Sequence, residues 1–151
     1  MPATYEKIAT TTLSSTAATI TLSSIPATYT DLVAVVNIGA DVAGNMQVRL
    51  NGDTGANYST LTAIAYNNTV TGSGTYTGLT FMYAAVAGAL PTTLGPASAV
   101  MQFNNYSNST TYKTMLARYA NVSVPEVDAT VSTWRNTAAI TSINLSSYSG
   151  S

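Results

Sequence analysis

Residues 45–51, "NMQVRLN", decide the fold class of this chain. Three apolar side chains, Met46, Val48 and Leu50, alternate with polar ones, and this period of two indicates a strand with one face in the core and one in water. The segment "TITLS" at residues 19–23 repeats the alternation. Thr is abundant, and the 10 Tyr outnumber the 2 Phe and 1 Trp, a composition that suits a half-buried pleated surface. The sequence therefore favours strands over helices.

Further strands are predicted at roughly ten-residue spacing, separated by clusters of Gly, Pro, Asn and Ser. "DLVAVVNIG" at residues 31–39 is a continuous apolar run, which is typical of a central strand covered on both faces. The other candidates lie at residues 75–86, 97–106, 111–120, 127–135 and 138–146. Eight to ten short strands in 151 residues are typical of a sandwich or a closed barrel. Of the two, we predict one all-β domain, residues 1–151, folded as an antiparallel β-sandwich of jelly-roll type.

The core of this sandwich is predicted from the large apolar side chains of the candidate strands. In "STWRNTAAITSINL", residues 132–145, Trp134 anchors one strand, Asn136-Thr137 forms a turn, and the chain returns as a hairpin. We expect the following side chains to be largely buried: Val33, Val35, Val48, Leu50, Val131, Trp134, Ile143 and Leu145.

Charge and composition exclude several classes of function. The chain has 5 basic and 6 acidic residues, and only 7% of its residues are charged, against roughly 25% in an average soluble protein. Its scattered basic residues form no stripe that could neutralise phosphates, so we expect no nucleic-acid or membrane partner. The most apolar window, residues 79–90, is too short to span a bilayer and is predicted to be a buried strand. The first residues of the chain lack the basic start and following apolar run of a signal peptide, so we predict none.

Zero Cys and zero His remove thiolate chemistry, the commonest metal ligand and the usual general base. "LNGDTGANYS", residues 50–59, looks at first like a metal loop. However, Asn51-Gly52 is the preferred pair for a two-residue turn with positive φ at both positions. A calcium loop would need an oxygen ligand where Gly55 stands, together with a late Glu. We therefore predict a structural turn and no metal.

Two other segments could be mistaken for sites. "GSGTYTG", residues 72–78, lacks the helix and the Lys-Ser/Thr pair of a phosphate loop, so a flexible hairpin connection is predicted. Glu126 and Asp128 could share a strand face as a glycosidase acid and nucleophile would, but Pro125 favours a solvated strand entrance. We therefore predict no enzyme, no catalytic or cofactor-binding residue and no cofactor. Tyrosines are expected to be half buried in the sheet or at subunit contacts.

Five segments of the chain form a recognisable series: "YEKIATTTLSS", "SIPATYTDL", "RLNGDTGANYS", "NYSNSTTYKTMLARYA" and "STWRNTAAITSINL". In these segments, and in their order and spacing over nearly the whole chain, the sequence resembles a family of small virion structural proteins of tailed bacteriophages. Members of that family continue into another glycine-flanked, aromatic strand, whereas this chain ends in "SSYSGS". We therefore expect the last strand to have fewer partners than members of that family provide, leaving an open edge that a neighbouring subunit could pair with.

The resemblance implies a component of the phage particle that is made in the host cytoplasm. The leading hypothesis is a head decoration, or cement, protein that binds the major capsid protein. It would form a homotrimer in which the N-terminal segment and C-terminal tail contribute contacts between subunits. A tail-fibre or receptor-binding module that recognises host glycan is the alternative. A third hypothesis, a carboxylate hydrolase acting on surface polysaccharide, would require paired acids in a groove.

Overall fold

The structure is a computed structural model that describes residues 5–67, 69–90, 92, 97–121 and 125–148. All regular elements in these ranges are antiparallel strands, and the prediction of an all-β sandwich is confirmed. The ten strands are β1 (Thr19–Leu22), β2 (Leu32–Ile38), β3 (Gly44–Leu50), β4 (Tyr58–Tyr66), β5 (Thr69–Leu79), β6 (Met82–Leu90), β7 (Ala97–Phe103), β8 (Lys113–Asn121), β9 (Glu126–Trp134) and β10 (Ile143–Tyr148).

The strands form two sheets that pack over one core. The smaller sheet has the order β1-β10-β3-β6, and the larger has the order β2-β7-β8-β9-β4-β5. An eight-stranded jelly roll divides its strands between two sheets joined by Greek-key connections. Here ten strands divide four and six, so the sandwich is established while the jelly-roll type stays a prediction.

The core contains apolar side chains from both sheets. Val48, Leu50, Trp134, Ile143 and Leu145 are buried as predicted. The expectation for three valines was wrong: Val33 is only partly buried, while Val35 and Val131 are 69% and 47% exposed. On β2 it is the other set of alternating side chains, Leu32 and Ala34, that faces inward.

Several local predictions are corrected by the strand pairing. Residues 31–39 do not form a central strand, because β2 is the edge of the larger sheet and pairs only with β7 among the described strands. The run at residues 75–86 is divided between β5 and β6, and the long strand β4 was not predicted. Residues 72–78 are not a hairpin connection but lie inside β5, at the other edge of that sheet.

The predicted hairpin at residues 132–145 is also wrong, because β9 and β10 lie in different sheets. The connection crosses from one sheet to the other, so Trp134 and Ile143 meet the core from opposite sides. β10 pairs with both β1 and β3. The last strand therefore does not lack a partner, and the open edge expected there is absent from the described strands. Of the tail at residues 146–151, residues 149–151 lie outside the described residues.

Candidate functional site

The strands β4 and β9 have the reverse of the usual distribution of polar and apolar side chains. Along β9 the inward positions before Trp134 are polar, and all are buried: Glu126, Asp128, Thr130 and Ser132. The outward positions of the same strand include Val127 and Val131. On β4, Thr60 and Thr62 point inward and Leu61 points outward. A sheet that packs one face on the core normally places its apolar residues inward.

The inward polar groups are explained by the position of β6 at the end of the smaller sheet. Its outer backbone groups have no strand beside them in that sheet, and side chains of β4 and β9 bond them instead. Thr60 Oγ1 accepts from Tyr83 N at 3.2 Å, and Ser132 Oγ donates to Tyr83 O at 3.4 Å. Asp128 Oδ2 accepts from Val86 N at 2.8 Å. Buried backbone groups require such partners, so β4 and β9 cap the edge of β6.

Glu126 and Asp128 lie at one end of this capping surface. They are 4% and 0% exposed, so the prediction of a solvated strand entrance was wrong. Burial, and then the charge of Asp128, raise the pKa of Glu126 to about 7. Burial raises the pKa of Asp128 to about 6, although the Val86 N–H opposes this rise. Burial also raises the pKa of the neighbouring Tyr119. The pair can hold protons near neutrality, but it faces the core rather than a groove.

The turn at residues 51–57 has the predicted conformation and a structural role. Asn51 and Gly52 have φ values of 54° and 67°, as a two-residue turn of this type requires. Asp53 accepts hydrogen bonds from Gly55 N at 2.8 Å, Asn57 Nδ2 at 2.9 Å and Trp134 Nε1 at 2.7 Å. Burial opposes ionisation of Asp53, yet these three bonds together lower its pKa. The carboxylate that looked like a metal ligand is therefore engaged by protein donors.

No group of three or more acidic side chains that could hold a metal ion occurs in the described part of the chain. One further buried charge was not anticipated from the sequence. Lys113 is 1% exposed and donates from Nζ to the carbonyl oxygens of Thr111 and Thr137, at 2.7 and 3.0 Å. Burial lowers the pKa of this amine. These two hydrogen bonds fix a loop against β8, which is a structural task.

Nor do we find, over the described ranges, a helix with the length and hydropathy needed to cross a bilayer.

The outward side chains of the larger sheet form the most distinctive surface of the molecule. We call it the outer apolar face, and its main members are Val35, Leu61, Val100, Leu116, Val127 and Val131. The strand register brings them together: Leu61 pairs with Val131, which pairs with Leu116, and Val35 pairs with Val100. Contiguous exposed apolar surface on a soluble protein commonly marks an interaction site.

One positive charge lies within the outer apolar face. Arg118 stands between Ala129 on β9 and Val100 on β7, and it is the one charged residue among the outward positions of the described strands of this sheet. Arg135 follows β9 and donates to Ser59 Oγ at the margin of the face. An open depression of about 750 Å³ lies beside it, with Leu61, Leu116 and Val131 in its lining. The arrangement can bind an apolar surface and offers a guanidinium to a single acceptor.

A second surface is aromatic. Phe81 contacts Tyr83 and Tyr148, with ring centroids 4.9 and 5.7 Å apart, and Tyr83 contacts Tyr76 at 5.2 Å. The Arg49 guanidinium lies 5.7 Å from the centre of the Phe81 ring. Tyr76 and Tyr148 are partly exposed, so this cluster presents rings with polar tips to solvent. Tyrosines are thus half buried here, as predicted.

Comparison with known proteins gives no family, because no protein-family model, no curated protein and no solved structure matches the chain.

Proposed function

We propose that the chain is a structural protein of a tailed-phage particle, and that it decorates the head by binding the major capsid protein. The outer apolar face is the observation that carries this proposal. A sheet that turns Leu and Val outward, in a chain with only 7% charged residues, is suited to binding another protein. The resemblance of the sequence to small phage virion proteins supports the choice of partner.

Such a protein would act mechanically at the surface of the particle. Packaged genome pushes the capsid subunits apart, and each decoration contact adds buried area that must be lost before they separate. Many weak contacts over a lattice strengthen one another. A homotrimer fits a threefold lattice position. With β10 paired on both sides, the trimer contact falls to the aromatic cluster, where Tyr76 and Tyr148 are partly exposed.

We further propose that the chain is not an enzyme and needs no metal or cofactor. Glu126 and Asp128 are supporting observations, because both are buried beside β6 and withdrawn from a polysaccharide in solvent. Asp53 is another, since its carboxylate is held by three protein donors. Metal analysis of chelator-treated protein tests this: a bound ion in stoichiometric amount would refute it.

The second candidate function is a tail-fibre or receptor-binding module. The aromatic cluster favours it, because partly exposed Tyr rings beside Arg49 could stack on a sugar. This function would use the aromatic cluster for a host glycan rather than for contacts between subunits.

Copy number in purified particles separates the two candidates. Quantitative mass spectrometry should find hundreds of copies for a head protein and a few tens or fewer for a tail module. Light scattering should show a trimer for the isolated protein. We also expect release from particles to depend only weakly on salt, because scattered charges build no strong complementary field. Absence of the chain from the particles would refute a virion role.

A further inference from the structure

We infer that the outer apolar face seats the chain on its partner, and that the partner is a protein surface that is itself apolar and presents one carboxylate to Arg118. This inference rests on the proposed virion function and deepens it, since it assigns the attachment surface and the chemistry of the surface it meets.

Strands β4 and β9 place polar side chains inward and apolar side chains outward. Their inward positions are committed to capping β6, through Thr60, Ser132 and Asp128, but that task does not explain the outward ones. Thr or Lys would satisfy a solvent-exposed sheet face equally well. Instead Leu61 and Val131 stand opposite each other, 54% and 47% exposed. Within the described chain, no element of this molecule covers them.

The larger sheet is close in size to a standard interface. Its six strands, about 4.8 Å apart with about nine residues each at about 3.4 Å, give the face a projected area of about 700 Å². A stable specific interface buries about 800 Å² on each partner. The face is thus slightly smaller than that, and repetition over a lattice compensates for the difference. The depression beside Arg118 lets the partner project a side chain into the sheet.

Charge decides between the possible occupants. A second copy packed through the same face would bring a second Arg118 to the contact and no carboxylate, because the outward positions of the described strands include no acid. Two guanidinium groups would then be desolvated together without an acceptor. A surface with one Asp or Glu gives Arg118 a paired, bidentate contact. One cation among apolar residues is too little for nucleic acid or an anionic membrane.

The test uses the full chain and heads purified from a mutant of its phage that lacks the gene for this protein. Wild-type chain is added back, and bound and unbound protein are separated by sedimentation. The double variant Leu61→Thr/Val131→Thr keeps β-branched or strand-compatible side chains at outward positions, and we expect it to bind at least tenfold more weakly. Arg118→Gln should bind about tenfold more weakly, and Arg118→Glu more weakly still.

Val42→Thr is the matched control, because Val42 is also exposed but lies between β2 and β3, away from the face. It should bind as the wild type does. Thermal melting checks that each variant is folded. Covalent footprinting of the wild type provides a second measurement that needs no variant: labelling of Leu61, Leu116 and Val131 should fall when the chain is bound to heads, while that of Val42 should not.

Two outcomes would overturn the inference while leaving the proposed function in place. In the first, the chain decorates heads, but the face variants bind normally and the face stays labelled. In the second, the free chain self-associates, and this association is abolished by the double variant and tightened by Arg118→Gln, which would make a second copy the occupant. If the wild-type chain neither occurs in particles nor binds the heads, the proposed function fails and the named partner fails with it.

Discussion

The chain should become less stable as the pH rises from about 4 to about 8, and this loss should come from two buried carboxyl groups. Glu126 and Asp128 have pKa values raised by burial, so the folded protein binds more protons than the unfolded chain between the ordinary and the raised values. Stability falls with pH wherever the folded state holds the extra protons. The contribution is fully present below about pH 4 and is lost as the pH passes through the raised values.

The size of the effect follows from these values. A difference of one in pKa corresponds to about 1.4 kcal/mol. The rise for Glu126 from 4.5 to about 7 corresponds to roughly 3 kcal/mol, and the rise for Asp128 from 3.8 to about 6 to a similar amount. Loosening of β6 would let water reach the ionised carboxylates, so the cost of burying their charges would be smaller than the sum of these two amounts. We therefore expect the free energy of unfolding to fall by about 3 kcal/mol in total, a large fraction of the 5–15 kcal/mol typical of a folded domain.

Urea unfolding at several pH values between about 5 and about 8 measures this loss, and the midpoint should fall by about 1–2 M across the range for an m-value near 2 kcal/mol/M. The double variant Glu126→Gln/Asp128→Asn replaces both carboxyl groups with neutral groups of the same shape, so its midpoint should stay nearly constant. Asp41→Asn, at an exposed loop position, is the control and should retain the wild-type slope.

A midpoint that is constant or rises with pH in the wild type would refute the reasoning. A wild-type slope that survives unchanged in the double variant would show that other groups cause it. Asp53 does not affect the slope between about pH 5 and about pH 8, because its pKa is lowered in the folded protein. The stability that its carboxylate contributes is lost only as the pH falls below about 4.

Three substitutions test two hydrogen bonds and one turn of the fold by urea unfolding at constant pH. Thr60→Val keeps the side-chain shape but leaves Tyr83 N without its acceptor, and it should lower the free energy of unfolding by about 1–3 kcal/mol. A decrease of less than about 0.5 kcal/mol would contradict the capping of β6. Trp134→Phe removes the donor to Asp53 and should cost about 2 kcal/mol; the loss should shrink when Asp53 is already Asn. Gly52→Ala forces a side chain into positive φ and should cost about 1 kcal/mol, whereas Thr54→Ala next to it should be neutral.

The parts of the fold that depend on local chemistry were predictable from the sequence. Asn51-Gly52 forms its turn because only a few residue types accept positive φ at two successive positions. Val48 and Leu50 are buried because they share the inward side of β3 with Met46, and these large apolar side chains pack on the core. In these segments the period of two and the size of the side chains predict the same inward-facing residues.

The inward face of β4 and β9 was not predictable in this way. The prediction for Val131 assumed that the larger apolar side chains face the core, whereas Ser132 and Thr130 occupy that face. Their place depends on β6, a strand of the other sheet whose edge needs hydrogen-bond partners. Strand β4 was missed for the same reason, because Thr60 and Thr62 break the expected pattern. No local window of sequence contains that information, since the two strands are far apart along the chain.

The capped edge of β6 also makes the protein unusually sensitive to mutation at one border. Every residue carries a backbone N–H and C=O, so an ordinary strand ladder survives most substitutions of its side chains. The border of β6 depends instead on what Thr60, Ser132 and Asp128 happen to be. A single exchange there would expose an unpaired strand edge, on which identical molecules could add to one another as a growing sheet. Loss-of-function alleles at these positions should therefore aggregate more readily than equally destabilising alleles elsewhere in the chain.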